Sequence, residues 1–283
     1  MIARIFKKVL RLFCATIFIS AMLAFSSGLA FESKSDWEEY RSTHFIIHYH
    51  TSIPDDYIKE FSRKCENYYH LITARLGFSR FSFWLWEDRV KIFIYKTQEE
   101  YIKDARRPKW SGASVHIRKK FINTFYFAED FFDKILPHEL AHIILREFIG
   151  LTTKAPLWLD EGVACANEKD GYATYLLLTK ELLERKSYMP LPELERANEK
   201  GVNFPGIFYP SAASVVIFLL ENYGQEDFAD LCRHLRDGGT FYGSMDKVYG
   251  IKDAEDLDKK FLTFLTNKSY EDIVKMKGRD FDW

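Results

Sequence analysis

The sequence has few cysteines, no excess of charge of either sign, no low-complexity tract and no hydrophobic run long enough to cross a membrane. Its 283 residues include 4 cysteines, with 40 Lys and Arg against 41 Asp and Glu. The low cysteine count excludes a disulfide-dense scaffold, and the charge balance argues against a nucleic-acid partner. The longest apolar run, residues 12–25, is shorter than the roughly 20 residues of a membrane-spanning helix. Hydrophobic residues make up 47% and aromatic residues 17% of the chain, which indicates a globular protein with a proper core.

The first thirty residues have the composition of a secretory signal peptide. Four basic residues precede the apolar run, and Gly28 and Ala30 provide the small side chains that suit cleavage before Phe31. We therefore expect export to the periplasm or the extracellular space, with an uncleaved membrane anchor as the alternative. Cleavage would leave 36 basic and 41 acidic residues, a net charge of −5, so neither a nucleic-acid partner nor stable membrane insertion is expected. Cleavage would leave three cysteines, namely Cys65, Cys165 and Cys232. Three cysteines permit at most one disulfide within the chain.

Hydrophobic periodicity predicts strands early in the chain and helices late in it. Strands are predicted at residues 44–50, 89–96 and 113–127, the last as one or two strands paired around residues 118–120. Helices are predicted at residues 55–76, 134–149, 157–168, 171–186, 209–223, 226–237 and 253–267. The expected fold class is α+β, with a small mixed sheet in the N-terminal half and a helical C-terminal half.

The segment ILPHELAHIILREF, residues 135–148, contains two histidines four residues apart with a glutamate beside the first. On a helix, four steps of about 100° put His138 and His142 on one face, as two ligands of a single zinc ion require. Glu139 lies next to a ligand without being one, which suits a general base that takes a proton from water. The alternative is a helix with ordinary surface histidines, but the apolar residues that follow make a surface helix a poor explanation.

A catalytic zinc ion needs a third protein ligand and an open position for water. The metzincin pattern would require glycine and histidine where this chain has Leu145 and Phe148. His234 is much further along the chain, so a carboxylate is the better candidate. Four acids qualify by their position after the motif: Glu147, Asp160, Glu161 and Glu168.

The segment PLWLDEGVACANE, residues 156–168, carries a family resemblance. The run HELAH at 138–142, eighteen further residues and then Glu161 within WLDEGVA resemble the gluzincin pattern HExxH-x18-E and its W-L-x-E-G-x-A box. The chain is similar to the gluzincin aminopeptidases and to the secreted bacterial peptidase-MA-like domains. The resemblance implies a zincin-like fold with the zinc site between its halves, Glu161 as the third zinc ligand, and Glu168 as the acid that orients a ligating histidine. Asp160 is about 100° from Glu161 on a helix and is expected to face solvent or a helix cap.

The same resemblance implies an exported zinc metallopeptidase that acts on a peptide or protein substrate, over a domain at residues 31–267 followed by a tail at 268–283. Glu139 would be its general base. Tyr209, at the start of a later helix, is the candidate donor to the oxyanion, against the alternative that it only packs with its hydroxyl hydrogen-bonded. The G-x-M-E-N box that holds a substrate's amino terminus in the aminopeptidases has no counterpart, which favours an endopeptidase. The alternative function is a non-catalytic domain that binds a cell-envelope partner and keeps zinc for stability only. The oligomeric state is left open.

Overall fold

The computed structural model describes residues 36–78, 88–109, 111–197 and 204–277. The predicted signal peptide and the end of the predicted tail lie outside the described residues. The described residues divide into two units, the first formed by those up to residue 66 and those from 88 to 129, and the second by those from 67 to 78 and those from 130 onward. The division places a sheet in the first unit and mostly helices in the second, so the α+β fold class is confirmed.

The first unit contains a mixed five-stranded sheet. Its strands are β1 (Trp37–Arg41), β2 (Phe45–His50), β3 (Val90–Tyr95), β4 (Ala113–His116) and β5 (Phe121–Phe125). The order across the sheet is β1-β2-β3-β5-β4, with β2, β3 and β5 parallel and the two edge strands antiparallel to their neighbours. Ile92, Ile94 and Ile122 are fully buried, so one face of the central strands forms the core of this unit.

In the described part of the chain, the sheet is accompanied by helices α1 (Asp55–Arg75) and α2 (Gln98–Ala105). The boundary between the two units falls within α1. Strands β2 and β3 and helix α1 were predicted, as was the pairing of β4 with β5, which are joined by a single 3-10 turn at Ile117–Lys119. Strand β1 was not predicted, because its sequence WEEYR lacks apolar alternation. Helix α2 was also missed, although Thr97 caps it by accepting a 3.2 Å hydrogen bond from the Glu100 amide.

The second unit is built mainly from helices that begin after residue 130. They are α3 (Leu136–Ile149), α4 (Leu157–Ala166), α5 (Gly171–Glu184), α6 (Leu191–Leu194), α7 (Pro205–Tyr223), α8 (Gln225–Arg236), α9 (Phe241–Tyr249), α10 (Ala254–Asn267) and α11 (Tyr270–Val274). Helix α4 packs against α3, α5 and, most extensively, α7. Every residue of α4 from Trp158 to Ala166 is buried, so this short helix is the centre of the unit's core.

The structure also bears on the cysteines, on membrane-spanning helices and on the predicted C-terminal tail. Cys65, Cys165 and Cys232 are buried free thiols. Among the described residues, no helix combines the length and the apolar character needed to span a membrane. Helix α11 lies within the predicted tail, and its Ile273 side chain is fully buried.

Candidate metal centre

Helix α3 holds the two histidines of the HExxH motif on one side. A π-helical turn at Phe131–Ile135 leads directly into α3, and Pro137 occupies the first turn of α3. The His138 and His142 ring centroids lie 5.0 Å apart at an interplanar angle of 78°. The histidine side chains are only 11% and 5% exposed, so the rings are largely removed from solvent.

Glu161 on α4 meets both rings. Its Oε2 atom lies 3.8 Å from His138 Nε2 and 3.7 Å from His142 Nε2. The candidate ligand atoms of these three residues all lie within 4.8 Å of one another. The structure therefore brings together the three side chains that the sequence nominated as zinc ligands. Among the described residues, no group of potential metal ligands contains both histidines and Glu147, the first of the four acids considered.

The donor set and its spacing suit a zinc ion. Tetrahedral coordination with bonds of 2.0–2.1 Å places neighbouring ligand atoms roughly 3.3 Å apart. The two measured separations exceed this value by about half an ångström, which small side-chain rotations could close. Two imidazoles and one carboxylate are also the ligand set found in several catalytic zinc sites, in which the fourth position is left for water.

Glu168 contacts the first histidine from the side opposite Glu161. The predicted helix over 157–168 ends at Ala166, so Glu168 lies just beyond α4 rather than on it. Its Oε1 atom is 2.9 Å from His138 Nδ1, and its Oε2 accepts a 2.9 Å hydrogen bond from the Tyr175 hydroxyl. The Cys165 sulfur is 4.0 Å from the same His138 nitrogen. Tyr175 was not among the candidate residues, because its role depends on how α5 folds back onto α4.

The expectation for Asp160 was wrong. This carboxylate faces neither solvent nor a helix cap, since it is 7% exposed and its Oδ1 lies 3.0 Å from His142 Nδ1. Its Oδ2 accepts a 2.7 Å hydrogen bond from Arg146 Nε. The physical reason is that α4 is buried on all sides, so a rotation of 100° away from Glu161 leads to α3 rather than to water. The second half of α3 is apolar apart from Arg146 and Glu147. The arginine was the available signal, because a guanidinium among apolar residues needs an acid.

The charges of this cluster raise the pKa values of its imidazoles. Burial lowers the pKa of His142, but the negative charges of Asp160 and Glu161 outweigh it and raise that pKa to about 10. Burial is likewise outweighed at His138, whose pKa is raised chiefly by its hydrogen bond to Glu168. Burial raises the pKa of Glu161, and the two imidazoles offset part of that increase. The cluster consequently holds protons that a cation would have to displace.

Tyr209 and Glu139 both lie near this cluster. Tyr209 is 5% exposed in the first half of α7. Burial raises the pKa of its hydroxyl, and the charges of Glu161 and Glu139 raise it further, so the hydroxyl stays protonated and can act as a donor. Helix α7 approaches α4 very closely, because a Cβ atom added at Gly162 would lie 2.5 Å from the Ala212 carbonyl oxygen. Glu139 is half-buried, and its charge raises the pKa values of all three candidate ligands.

A comparison with known protein families finds a match that covers the candidate metal centre. The family model described as the Peptidase MA superfamily matches residues 85–267, which is more than half of the chain. The chain belongs to the Peptidase MA superfamily. The match includes α3, α4 and α7, and with them every residue considered for the metal centre. It makes this Peptidase MA chain a metallopeptidase-like protein with candidate metal-binding histidine and glutamate groups. A comparison with curated proteins finds no match.

Proposed function

We propose that this protein is an exported, zinc-dependent metallopeptidase that hydrolyses peptide bonds. The observation that carries the proposal is the convergence of His138, His142 and Glu161 within 4.8 Å on two buried helices of a Peptidase MA chain. The three side chains would hold one zinc ion, whose presence would lower the pKa of a water molecule toward about 7. The substrate is a peptide or a protein.

Glu139 acts as the general base in this proposal. It neighbours a ligand in the sequence without belonging to the group of three, so its carboxylate remains available for a proton. It takes a proton from the attacking water and later returns it to the leaving amine. An amide in its place could do neither, because it has no basic lone pair of suitable pKa.

Tyr209 supplies the second donor to the oxygen of the substrate carbonyl. Its raised pKa keeps the hydroxyl protonated, and a protonated donor is required where negative charge develops. The proposal favours an endopeptidase over an aminopeptidase, because the G-x-M-E-N box that would bind a free amino terminus is missing from the sequence. Export is proposed on the basis of the basic and apolar character of residues 1–30, which lie outside the described residues.

Two variants and a metal analysis test the function. Glu161→Ala should lose zinc, as measured by elemental analysis of the purified protein, because two histidines alone hold the ion weakly. Glu139→Gln should keep zinc and lose hydrolysis of an unstructured protein substrate such as casein. Glu147→Gln is the matched control, since it alters another acid of the same helix and should change neither property.

The results also separate the enzyme from a domain that keeps zinc for stability. A structural site predicts that Glu139→Gln behaves as the unaltered protein does in every assay. Full hydrolytic activity in Glu139→Gln would refute the general-base assignment. Zinc retained by Glu161→Ala at the level of the unaltered protein would refute the ligand assignment.

A further inference from the structure

The second histidine of the proposed zinc site is held by a buried ion pair. The Asp160 carboxylate uses both of its oxygens: Oδ1 lies 3.0 Å from His142 Nδ1, and Oδ2 accepts a 2.7 Å hydrogen bond from Arg146 Nε. Arg146 Nη2 is also 2.7 Å from Oδ2, so the guanidinium approaches this oxygen with two nitrogens. The side chains of Asp160 and Arg146 are 10% and 19% exposed, so water screens this pair poorly.

Arg146 also fixes the connection between the two helices that carry the candidate ligands. It follows His142 by one turn on α3, and its Nη1 donates a 3.1 Å hydrogen bond to the Thr153 carbonyl in the loop before α4. A single guanidinium therefore binds a side chain of α4 and the backbone of the connecting loop. The planar fork of arginine makes this possible, whereas the single ammonium of lysine could not reproduce the same set of directions.

We propose that Asp160 and Arg146 form a positioning pair that sets the tautomer and the ring orientation of His142 for zinc binding. The inference rests on the proposed function. A carboxylate at Nδ1 requires the proton of the neutral ring to be on Nδ1, which leaves the Nε2 lone pair free, and Nε2 faces Glu161 Oε2 at 3.7 Å. Because Arg146 occupies Oδ2, the carboxylate cannot rotate without breaking its contact with the guanidinium.

The guanidinium has a further consequence for the charge near the site. Glu161, Glu139 and Glu168 already place negative charge around the two histidines. Asp160 adds to this charge, since it helps to raise the pKa of His142, and the Arg146 guanidinium at a hydrogen-bonded distance offsets part of it. Removal of Arg146 would leave the buried Asp160 carboxylate without its cation. The orientation of that carboxylate would then no longer be fixed.

Zinc affinity in a double-mutant cycle tests this pair. We expect Asp160→Asn and Arg146→Met each to lower the affinity measured by chelator competition about 10–100-fold, the usual effect of removing a group that orients a ligating histidine. Each oxygen of Asp160 faces a donor, Arg146 on one side and the His142 ring on the other. Asparagine has only one oxygen, so its amide nitrogen must face one of these two donors, with which it cannot form a hydrogen bond. The double variant removes the first of these donors, so its affinity should exceed that of Asp160→Asn alone.

Arg75→Met is the matched control, because the Arg75 guanidinium hydrogen-bonds the Ala166 carbonyl and the Asn167 side chain at the other end of α4. Arg75→Met should lower the melting temperature but leave the zinc affinity equal to that of the unaltered protein. Arg146→Lys, which keeps the charge, provides a variant expected to fold and should have an affinity between those of the unaltered protein and Arg146→Met.

Nitrogen-15 NMR of the histidine rings in the zinc-loaded protein gives a readout that a purely structural role would not move. The unaltered protein should show His142 as the Nδ1–H tautomer with a hydrogen-bonded proton signal, and Asp160→Asn should displace that signal while leaving the corresponding His138 signal in place. Unchanged zinc affinity and an unchanged His142 signal in both single variants would overturn the inference and leave the proposed function standing. Failure of the unaltered protein to bind zinc would overturn both.

Discussion

The close contact between α4 and α7 predicts that Gly162→Ala is destabilising even though it replaces glycine inside a helix. Without tertiary contacts, the change should stabilise α4 by about 1 kcal/mol, because alanine is the better helix former. An added Cβ would, however, lie 2.5 Å from the Ala212 carbonyl oxygen and 2.8 Å from Val216 Cγ2. The first of these atoms belongs to the backbone of α7 and cannot rotate away.

The magnitude follows from these two opposing effects. An ordinary contact between a Cβ and an oxygen is about 3.4 Å, so α7 would have to move by roughly 0.9 Å, and overpacking on this scale costs about 3 kcal/mol. Subtraction of the helix-propensity gain leaves a net loss near 2 kcal/mol, which corresponds to a fall in melting temperature of about 4–8 °C. The same displacement would carry Tyr209, which precedes Ala212 by three residues on α7, away from the candidate metal centre.

Thermal unfolding followed by circular dichroism, together with the rate of peptide hydrolysis, checks this prediction. Gly250→Ala is the control, since nothing lies within 4 Å of its added Cβ although its φ of +65° is strained for alanine. It should lower stability through backbone strain alone, by about 1–2 kcal/mol, and leave the catalytic rate unchanged. A melting temperature of Gly162→Ala equal to or above that of the unaltered protein would refute the close approach of α4 and α7.

Three further predictions concern the candidate centre. Tyr175→Phe removes the hydrogen bond to Glu168 and should weaken zinc binding about tenfold in chelator competition, and an unchanged affinity would show that the phenol does not support Glu168. Tyr209→Phe should lower kcat about 10²–10³-fold at unchanged zinc affinity, and a rate equal to that of the unaltered protein would mean that Tyr209 only packs. The metal-free protein should lose stability as the pH rises from 6.5 to about 10, because protonated His142 stabilises the fold only below its folded pKa. Chemical denaturation at a series of pH values measures that loss. Zinc affinity should rise over the same pH interval, because the proton that leaves His142 no longer competes with the ion. A metal-free protein that becomes more stable over this interval would contradict the raised pKa of His142.

The sequence predicted the helices of ten or more residues in the second unit, because their apolar periodicity reflects packing on one core, but it missed the shorter helices α6, α9 and α11. Helix α7 is an exception at its start, which was placed at Tyr209 and lies at Pro205. Pro205 at the first helical position is a start signal that the prediction did not use. Pro210 is tolerated in the second turn, where only one hydrogen bond within the helix is lost.

The missed elements share a different cause. Strand β1 pairs with β2 along its length and none of its side chains is fully buried, so its composition carries little hydrophobic signal. Helix α9 contains glycine and serine in its first turn and depends on Thr240, whose side chain accepts a hydrogen bond from the Gly243 amide. Both elements are stabilised by contacts that hydrophobic patterns do not record.

The residues of the candidate metal centre also include some that the sequence predicted and some that it missed. The motif spacing nominated His138 and His142, and the resemblance to the gluzincins implied Glu161 and Glu168. These four side chains come together in the structure. The contacts of Asp160 with α3 could not be inferred from its angle on a single helix, because they depend on which neighbour covers that side of α4. Spacing on one helix thus identified the two histidines and the family resemblance identified Glu161 and Glu168, whereas the roles of Asp160, Arg146 and Tyr175 required the tertiary structure.

Anomalous diffraction at the zinc absorption edge, from crystals of the zinc-loaded protein, tests the central claim most directly. The account predicts one zinc peak with His138 Nε2, His142 Nε2 and a Glu161 oxygen each about 2.0–2.2 Å from it. A zinc ion bound elsewhere, or one bound by the histidines without Glu161, would contradict it.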